Sequence, residues 1–251
     1  MTAFATSADQ TSIAYEVAGE GEPIVLIHGF GASRTITWKN TGWYQTIARA
    51  GRRLIAVDCR GHGESGKPHD MAAYDEGLMA ADIVAVLDAL AISRADIMGY
   101  SMGGFLSIRI MHDWPERVGR AVLAGIGATY FNYWPQRMEV IAEGLLAPDK
   151  TTIVDQEART FRDFGERAGN DLVALAACIR RPRRVFMPAD LEAMRQPVLV
   201  VCGELDEVSG PGEPLAKPFP NGRAVVVPKR NHHSTVGDRI YKDAVVDFLS
   251  R

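Results

Sequence analysis

Gly99-Tyr100-Ser101-Met102-Gly103 carries the pattern G-x-S-x-G. It follows the apolar run at 96–99 and precedes the nearly all-apolar stretch 102–114. A strand before and a helix after make it a sharp turn. Flanking glycines let the backbone pack tightly there and push the serine Oγ into the open. The helix start then points at any negative charge that develops beside the serine. A tight turn whose serine only caps the helix is the plainer alternative; the strand-turn-helix setting favours a nucleophile. A serine hydroxyl attacks poorly unless a base takes its proton. At such a turn the acid and then the histidine follow later in the chain. Past the stretch 102–114, which itself holds His112, only His232 and His233 remain. Before them, Gly203-Glu204-Leu205-Asp206 follows the run at 198–202, which puts Asp206 at the carboxyl end of a strand, where sites form in open α/β sheets. Asp206 is preferred to Glu204 as the later residue of that turn. The candidate set is Ser101, Asp206 and His232, with Asp206 orienting the imidazole and stabilising its charged form.

The elements that must position these residues alternate. Strands are expected at 12–17, 23–27, 54–57, 96–99, 121–124, 198–202 and 224–227. The later ones are rich in Val, Ile and Leu without polar alternation, as in strands covered on both faces. Between them, Met79, Ile83, Val86, Leu87 and Leu90 share one helix face, with Asp82 and Asp88 opposite. Tyr241, Ala244, Val245, Phe248 and Leu249 mark a last helix. The expected fold class is α/β, a mostly parallel central sheet with helices on both faces. From 129 to 190 only helical patterns occur. The expected organisation is a core at 1–128 and 191–251 with a small helical cap inserted at 129–190.

With these residues in place, the chain resembles the α/β-hydrolase superfamily, in its serine-nucleophile branch, over essentially its whole length. His28-Gly29-Phe30-Gly31 and Asp58-Cys59-Arg60-Gly61-His62-Gly63-Glu64-Ser65, each after a strand, are further landmarks. The resemblance implies an oxyanion hole made by the backbone N–H groups of Phe30 and Met102, each typically contributing about 3–4 kcal/mol. It also bears on the base. The family's Gly-x-x-His appears here as Lys229-Arg230-Asn231-His232, with lysine in the glycine position, and His232 is preferred to His233. The resemblance implies an enzyme without cofactor, a serine esterase working through an acyl-enzyme. It also admits C–C bond hydrolysis, lactone opening and cofactor-free perhydrolysis on the same triad. A non-catalytic receptor of hydrolase shape is disfavoured by the complete set.

Trp38, Tyr130, Phe131, Tyr133 and Trp134, with Trp43 and Tyr44, either line an apolar substrate pocket or pack the cap onto the core. As pocket residues, with Trp38, Tyr130, Phe131 and Trp134 foremost, they imply an uncharged apolar or aromatic substrate. Other motifs point away from other functions. Gly61–Gly66 fits G-x-G-x-x-G, but Lys67-Pro68 follows, no helix opens until about Asp75, and Glu64 would oppose a pyrophosphate. The basic run 180–184 sits in a segment of nine basic and nine acidic residues and is expected to be solvated surface. The remaining histidines are scattered, so no metal site is expected. The chain has 251 residues, 47% of them hydrophobic, and a net charge of −3. That is globular composition without the basic face a nucleic-acid binder needs. The first ten residues do not read as a signal peptide, and no apolar run reaches the length of a membrane span. Three scattered cysteines suit a reducing compartment. A cytoplasmic protein acting on a small molecule is expected.

Overall fold

Alternate residues of β3 and β4 leave in opposite directions, and both directions are apolar. Val25, Ile27, Ile55 and Val57 join one core cluster, while Ile24, Leu26, Leu54 and Ala56 join another. That is why these runs lack polar alternation: a helix layer covers each face. The structure, a computed structural model, describes residues 1–132 and 134–250. Its strands are β1 (Thr2–Thr6), β2 (Ser12–Ala18), β3 (Glu22–Ile27), β4 (Arg52–Val57), β5 (Ala95–Tyr100), β6 (Val118–Ala124), β7 (Val198–Gly203) and β8 (Gly222–Val227). Among the described residues they form one eight-stranded sheet in the order β1-β2-β4-β3-β5-β6-β7-β8. The pairs β1–β2 and β2–β4 are antiparallel and the rest parallel.

Helices α1 (Trp43–Arg49), α2 (Glu76–Ala89) and α3 (Met102–Asp113) lie between the early strands, and α4 (Pro135–Leu146), α5 (Gln156–Arg167), α6 (Leu172–Arg180) and α7 (Pro188–Glu192) between β6 and β7. The chain closes with α8 (Glu213–Ala216) and α9 (Arg239–Leu249). α2 and α3 cover the first face, α1 and α9 the second. No strand interrupts 129–190 within the described residues. Helices α4 and α6 pack on each other through Ile141, Leu145, Leu175 and Ile179, a small cluster against which Phe30 and Phe161 also lie.

Two differences from the sequence expectation bear on stability. β1 went unread, since Thr-Ala-Phe-Ala-Thr is a short edge strand whose Phe4 stays exposed. Asp82, expected on the solvent side of α2, is buried and takes both Nε and Nη2 of Arg60 at 2.7 Å. A bidentate guanidinium satisfies a buried carboxylate, so helix periodicity alone misplaced it.

The strand order places the site. After β3 the chain crosses to β4 on one side and then returns to β5 on the other. Neighbouring parallel strands whose connections diverge leave a crevice at their carboxyl ends. The loop after β3 carries Phe30, and the turn after β5 carries Ser101.

Candidate active site

Ser101 is the residue between β5 and α3, at φ 51° and ψ −113°. A non-glycine residue with positive φ is uncommon and is held only by its surroundings. Here the surroundings are close backbone. A Cβ on Gly103 would run into the carbonyl of Ile27, and one on Gly99 into the carbonyl of Gly103. The Ser101 N–H donates to the Ala124 carbonyl at 2.8 Å, tying the turn to the end of β6.

Gly29 passes directly against this turn: a Cβ placed on it would lie 3.3 Å from the Ser101 Cβ. The next residue is Phe30. Met102 opens α3, where the first N–H groups have no intrahelical acceptor. Among the described residues, neither the Phe30 nor the Met102 N–H meets a protein acceptor.

His232 follows β8, and its Nδ1 donates to Asp206, at 2.9 Å to Oδ2 and 3.1 Å to Oδ1. Asp206 is fully buried at its side chain, and its Oδ1 also accepts the N–H groups of Val208 (3.1 Å) and Ser209 (3.0 Å). Burial pushes this carboxyl up, but the hydrogen bond and charge of His232, with the Ser209 contacts, outweigh it and hold it below the ordinary 3.8. With Nδ1 committed, Nε2 is the nitrogen left for the cavity that His232 shares with Ser101. Glu204 is elsewhere, accepting the Lys229 N–H at 2.8 Å on the exposed side. Lys229 itself takes φ 58°, the left-handed conformation for which glycine is better suited. Tyr100, the residue before the serine, donates its hydroxyl to the His232 carbonyl, and its ring lies 5.5 Å from the imidazole.

The cavity measures about 1010 Å³ and is lined by Ser101, His232, Phe30 and Met102 together with residues of α4, α5 and the loop before α1. Of the aromatics expected there, Tyr130 and Trp134 line it. Trp38 does not: it is fully buried, edge-on to Trp43 at 6.1 Å in the core against α9. Its neighbours Ile36 and Thr37 face the cavity instead. Phe131 is also outside the lining, packed edge-on to Tyr130 at 5.2 Å. Tyr133 lies outside the described residues. Phe161 and Phe164 of α5 line the cavity unforeseen; their i, i+3 spacing was the available signal. The basic run is solvated surface only in part: Arg184 is exposed and Arg180 half-buried, but the other two arginines turn inward. Arg181 is buried and donates to the Cys178 carbonyl at 2.7 Å, and Arg183 lines the cavity with its guanidinium 4.8 Å from the Phe105 ring centre. Among the described residues no three His, Cys, Asp or Glu side chains gather as a metal site would need.

A serine on an elbow, a carboxylate-held imidazole in the same cavity and two free N–H groups recur in one fold, and residues 22–170 match the family described as alpha/beta hydrolase fold. The chain belongs to that family. This alpha/beta hydrolase is 39% identical over 208 residues to a 2-hydroxymuconate semialdehyde hydrolase of a Pseudomonas species, covering 76% of this chain and 72% of that protein. It is 26% identical over 266 residues, 95% of each chain, to a putative 2-succinyl-6-hydroxy-2,4-cyclohexadiene-1-carboxylate synthase of Bacillus subtilis. Among solved structures, a hydrolase from Pseudomonas aeruginosa superposes with a TM-score of 0.84 at 25% identity, over 100% of this chain and 98% of that one. The protein is a hydrolase of this fold. No helix among its described residues is long and apolar enough to cross a membrane.

Proposed function

We propose that this hydrolase cleaves carboxylic esters of small apolar or aromatic acids through an acyl-enzyme on Ser101. One observation carries the proposal: the strained Ser101 opens into the same cavity as His232, whose other nitrogen is bound to the buried Asp206. In the proposed reaction Ser101 Oγ attacks the carbonyl carbon and His232 Nε2 takes its proton. The Phe30 and Met102 N–H groups hold the oxyanion. The tetrahedral species collapses, and the alcohol leaves with the proton from His232. Water then gives a proton to His232 and attacks the acyl carbon; the bond to Ser101 Oγ breaks, Oγ takes the proton back from His232, and the acid is released. Residues 129–190 serve as a cap over this site, with Tyr130 and Trp134 on the substrate.

The test is intact mass after a fluorophosphonate probe, on the native chain and on Ser101→Ala. A single adduct on the native chain, absent from the variant, is expected, together with turnover of esters of graded acyl length. The loss of turnover in Ser101→Ala is expected to be about 10⁴-fold or more. An unlabelled native chain would overturn the proposal.

The kinship to a 2-hydroxymuconate semialdehyde hydrolase supports a second reading, hydrolysis of a C–C bond in a vinylogous diketone by the same residues. Loss of the substrate's conjugated absorbance, with esters turned over only weakly, would favour it.

A further inference from the structure

The turn that carries the Phe30 N–H is held from two sides, one belonging to the core and the other to the cap. The Ala32 N–H closes it on the Gly29 carbonyl at 3.2 Å, with Phe30 and Gly31 at its centre. Gly31, at φ 72°, donates its N–H to His62 Nε2 of the core at 3.0 Å. Its carbonyl accepts from Asn170 Nδ2 at 2.5 Å. Asn170 lies between α5 and α6, in the inserted segment. Three consecutive peptides are therefore held: the one bearing the Phe30 N–H through its Gly29 carbonyl, the next through the Gly31 N–H and the third through its Gly31 carbonyl, while the Phe30 N–H itself has no protein acceptor.

The aim of Asn170 comes from how α5 ends. Gly169 is left-handed (φ 68°), its N–H donates to the Glu166 carbonyl and the Asn170 N–H to the Gly165 carbonyl, each at 3.0 Å. That paired closure reverses the chain at a fixed angle. Asp171 then caps α6 by accepting the Val173 and Ala174 N–H groups, and it also meets His69 Nε2 of the core at 2.9 Å. On the same side, Phe161 stands edge-on to Phe30 at 5.6 Å. The Phe164 ring lies against Gly31, 3.0 Å from where a Cβ would be.

We propose that Asn170 is a positioning residue through which the seated cap makes the oxyanion hole competent. Lifting α5 and Asn170 frees the Gly31–Ala32 peptide and with it the Ala32 N–H bond to the Gly29 carbonyl, which shares a peptide with the Phe30 N–H and helps to set its direction. Closure over substrate and assembly of the hole are then one event. This rests on the acyl-enzyme reading above and adds to it a reason why an open cap is inactive as well as leaky to water.

The experiment uses the full chain with Asn170→Asp, an isostere that sets an oxygen against the Gly31 carbonyl, and Asn170→Ala. For an activated ester, kcat is expected to fall about tenfold or more with KM within about twofold, since only a transition-state contact is weakened. The affinity of a phenylboronic acid, whose Ser101 adduct is tetrahedral and anionic, should fall by the same factor. Native-like kcat in both variants would overturn the proposal. So would a loss carried by KM with boronic-acid affinity unchanged. Fluorophosphonate labelling of the native chain separates the two levels. An unlabelled native chain removes the acyl-enzyme reading and this inference with it. A labelled native chain with native-like variants removes the inference alone.

Discussion

Ser101 stays at positive φ because the backbones of Ile27, Gly99 and Gly103 leave no other path through the turn. Such a conformation costs roughly 1–3 kcal/mol in a non-glycine residue. Ser101→Ala keeps that cost and Ser101→Gly removes it, while glycine adds about 0.4–1 kcal/mol of unfolded-state entropy. The first effect is larger, so Ser101→Gly should be more stable than Ser101→Ala by about 1 kcal/mol, measured by urea unfolding. Equal stability would mean the turn holds no strain. The pattern G-x-S-x-G was legible at once because the glycines it needs are local. The choice of Asp206 over Glu204 rested on position in a turn, whereas what separates the two in space is hydrogen bonding. Asp206 is turned inward by the Val208 and Ser209 N–H groups, whereas Glu204 is drawn outward to Lys229.

At the scale of elements, the carboxyl ends of β3 and β4 are joined by two histidines that take no part in the proposed reaction. His28 Nε2 accepts the Cys59 N–H at 3.0 Å, and its Nδ1–H donates to the Gly29 carbonyl at 2.8 Å. His62 is arranged alike, with Gly31 N–H on Nε2 and the Arg60 carbonyl on Nδ1 at 3.0 Å. An Nε2 that accepts a backbone N–H has no room for a proton, so both rings are neutral. Burial is the main cause that lowers both below the ordinary 6.5, helped for His62 by the neighbouring His28. The sign follows from linkage. Below pH 6.5 the unfolded chain takes up protons that the fold refuses, so stability is full above that value and is lost as pH falls towards the folded values. Tm should therefore drop between pH 7.5 and 5.0, and the drop should shrink in His62→Gln, which keeps an acceptor but does not titrate. An unchanged slope would rule out His62 as a source. Sequence showed these histidines as landmarks after strands; only the approach of the two loops shows what they hold.

For the molecule as a whole, one buried cation gathers distant segments. Arg60, after β4, binds Asp82 of α2 and, at 2.6 Å, Asp9 in the turn after β1, while Ser7 also donates to Asp82. Burial pushes the Asp82 carboxyl up, so its charge depends on that guanidinium. Removing one partner of a buried pair strands the other at about 3–5 kcal/mol. Arg60→Met should cost about that much in urea unfolding, and Arg60→Met with Asp82→Leu should recover most of it. A double variant no better than the single would place the cost in lost packing.

What the sequence by itself determined is whatever depends on neighbours along the chain. It specified the elbow, the order Ser101, Asp206, His232, the doubly covered strands and the strand-free stretch at 129–190. Each is written in local spacing, composition or order. Tertiary structure decided what depends on direction in space. Trp38 and Thr37 are adjacent, yet one enters the core and the other the cavity, because successive side chains of the π-helical turn Thr35–Lys39 leave in different directions. Asp82 and Arg181 look like surface charges in the sequence, yet both are buried, Asp82 bound by Arg60 and Arg181 donating to the Cys178 carbonyl. Asn170 carries no signal in its own segment. Its place against Gly31, 139 residues earlier, exists only once the inserted helices settle on the loop after β3.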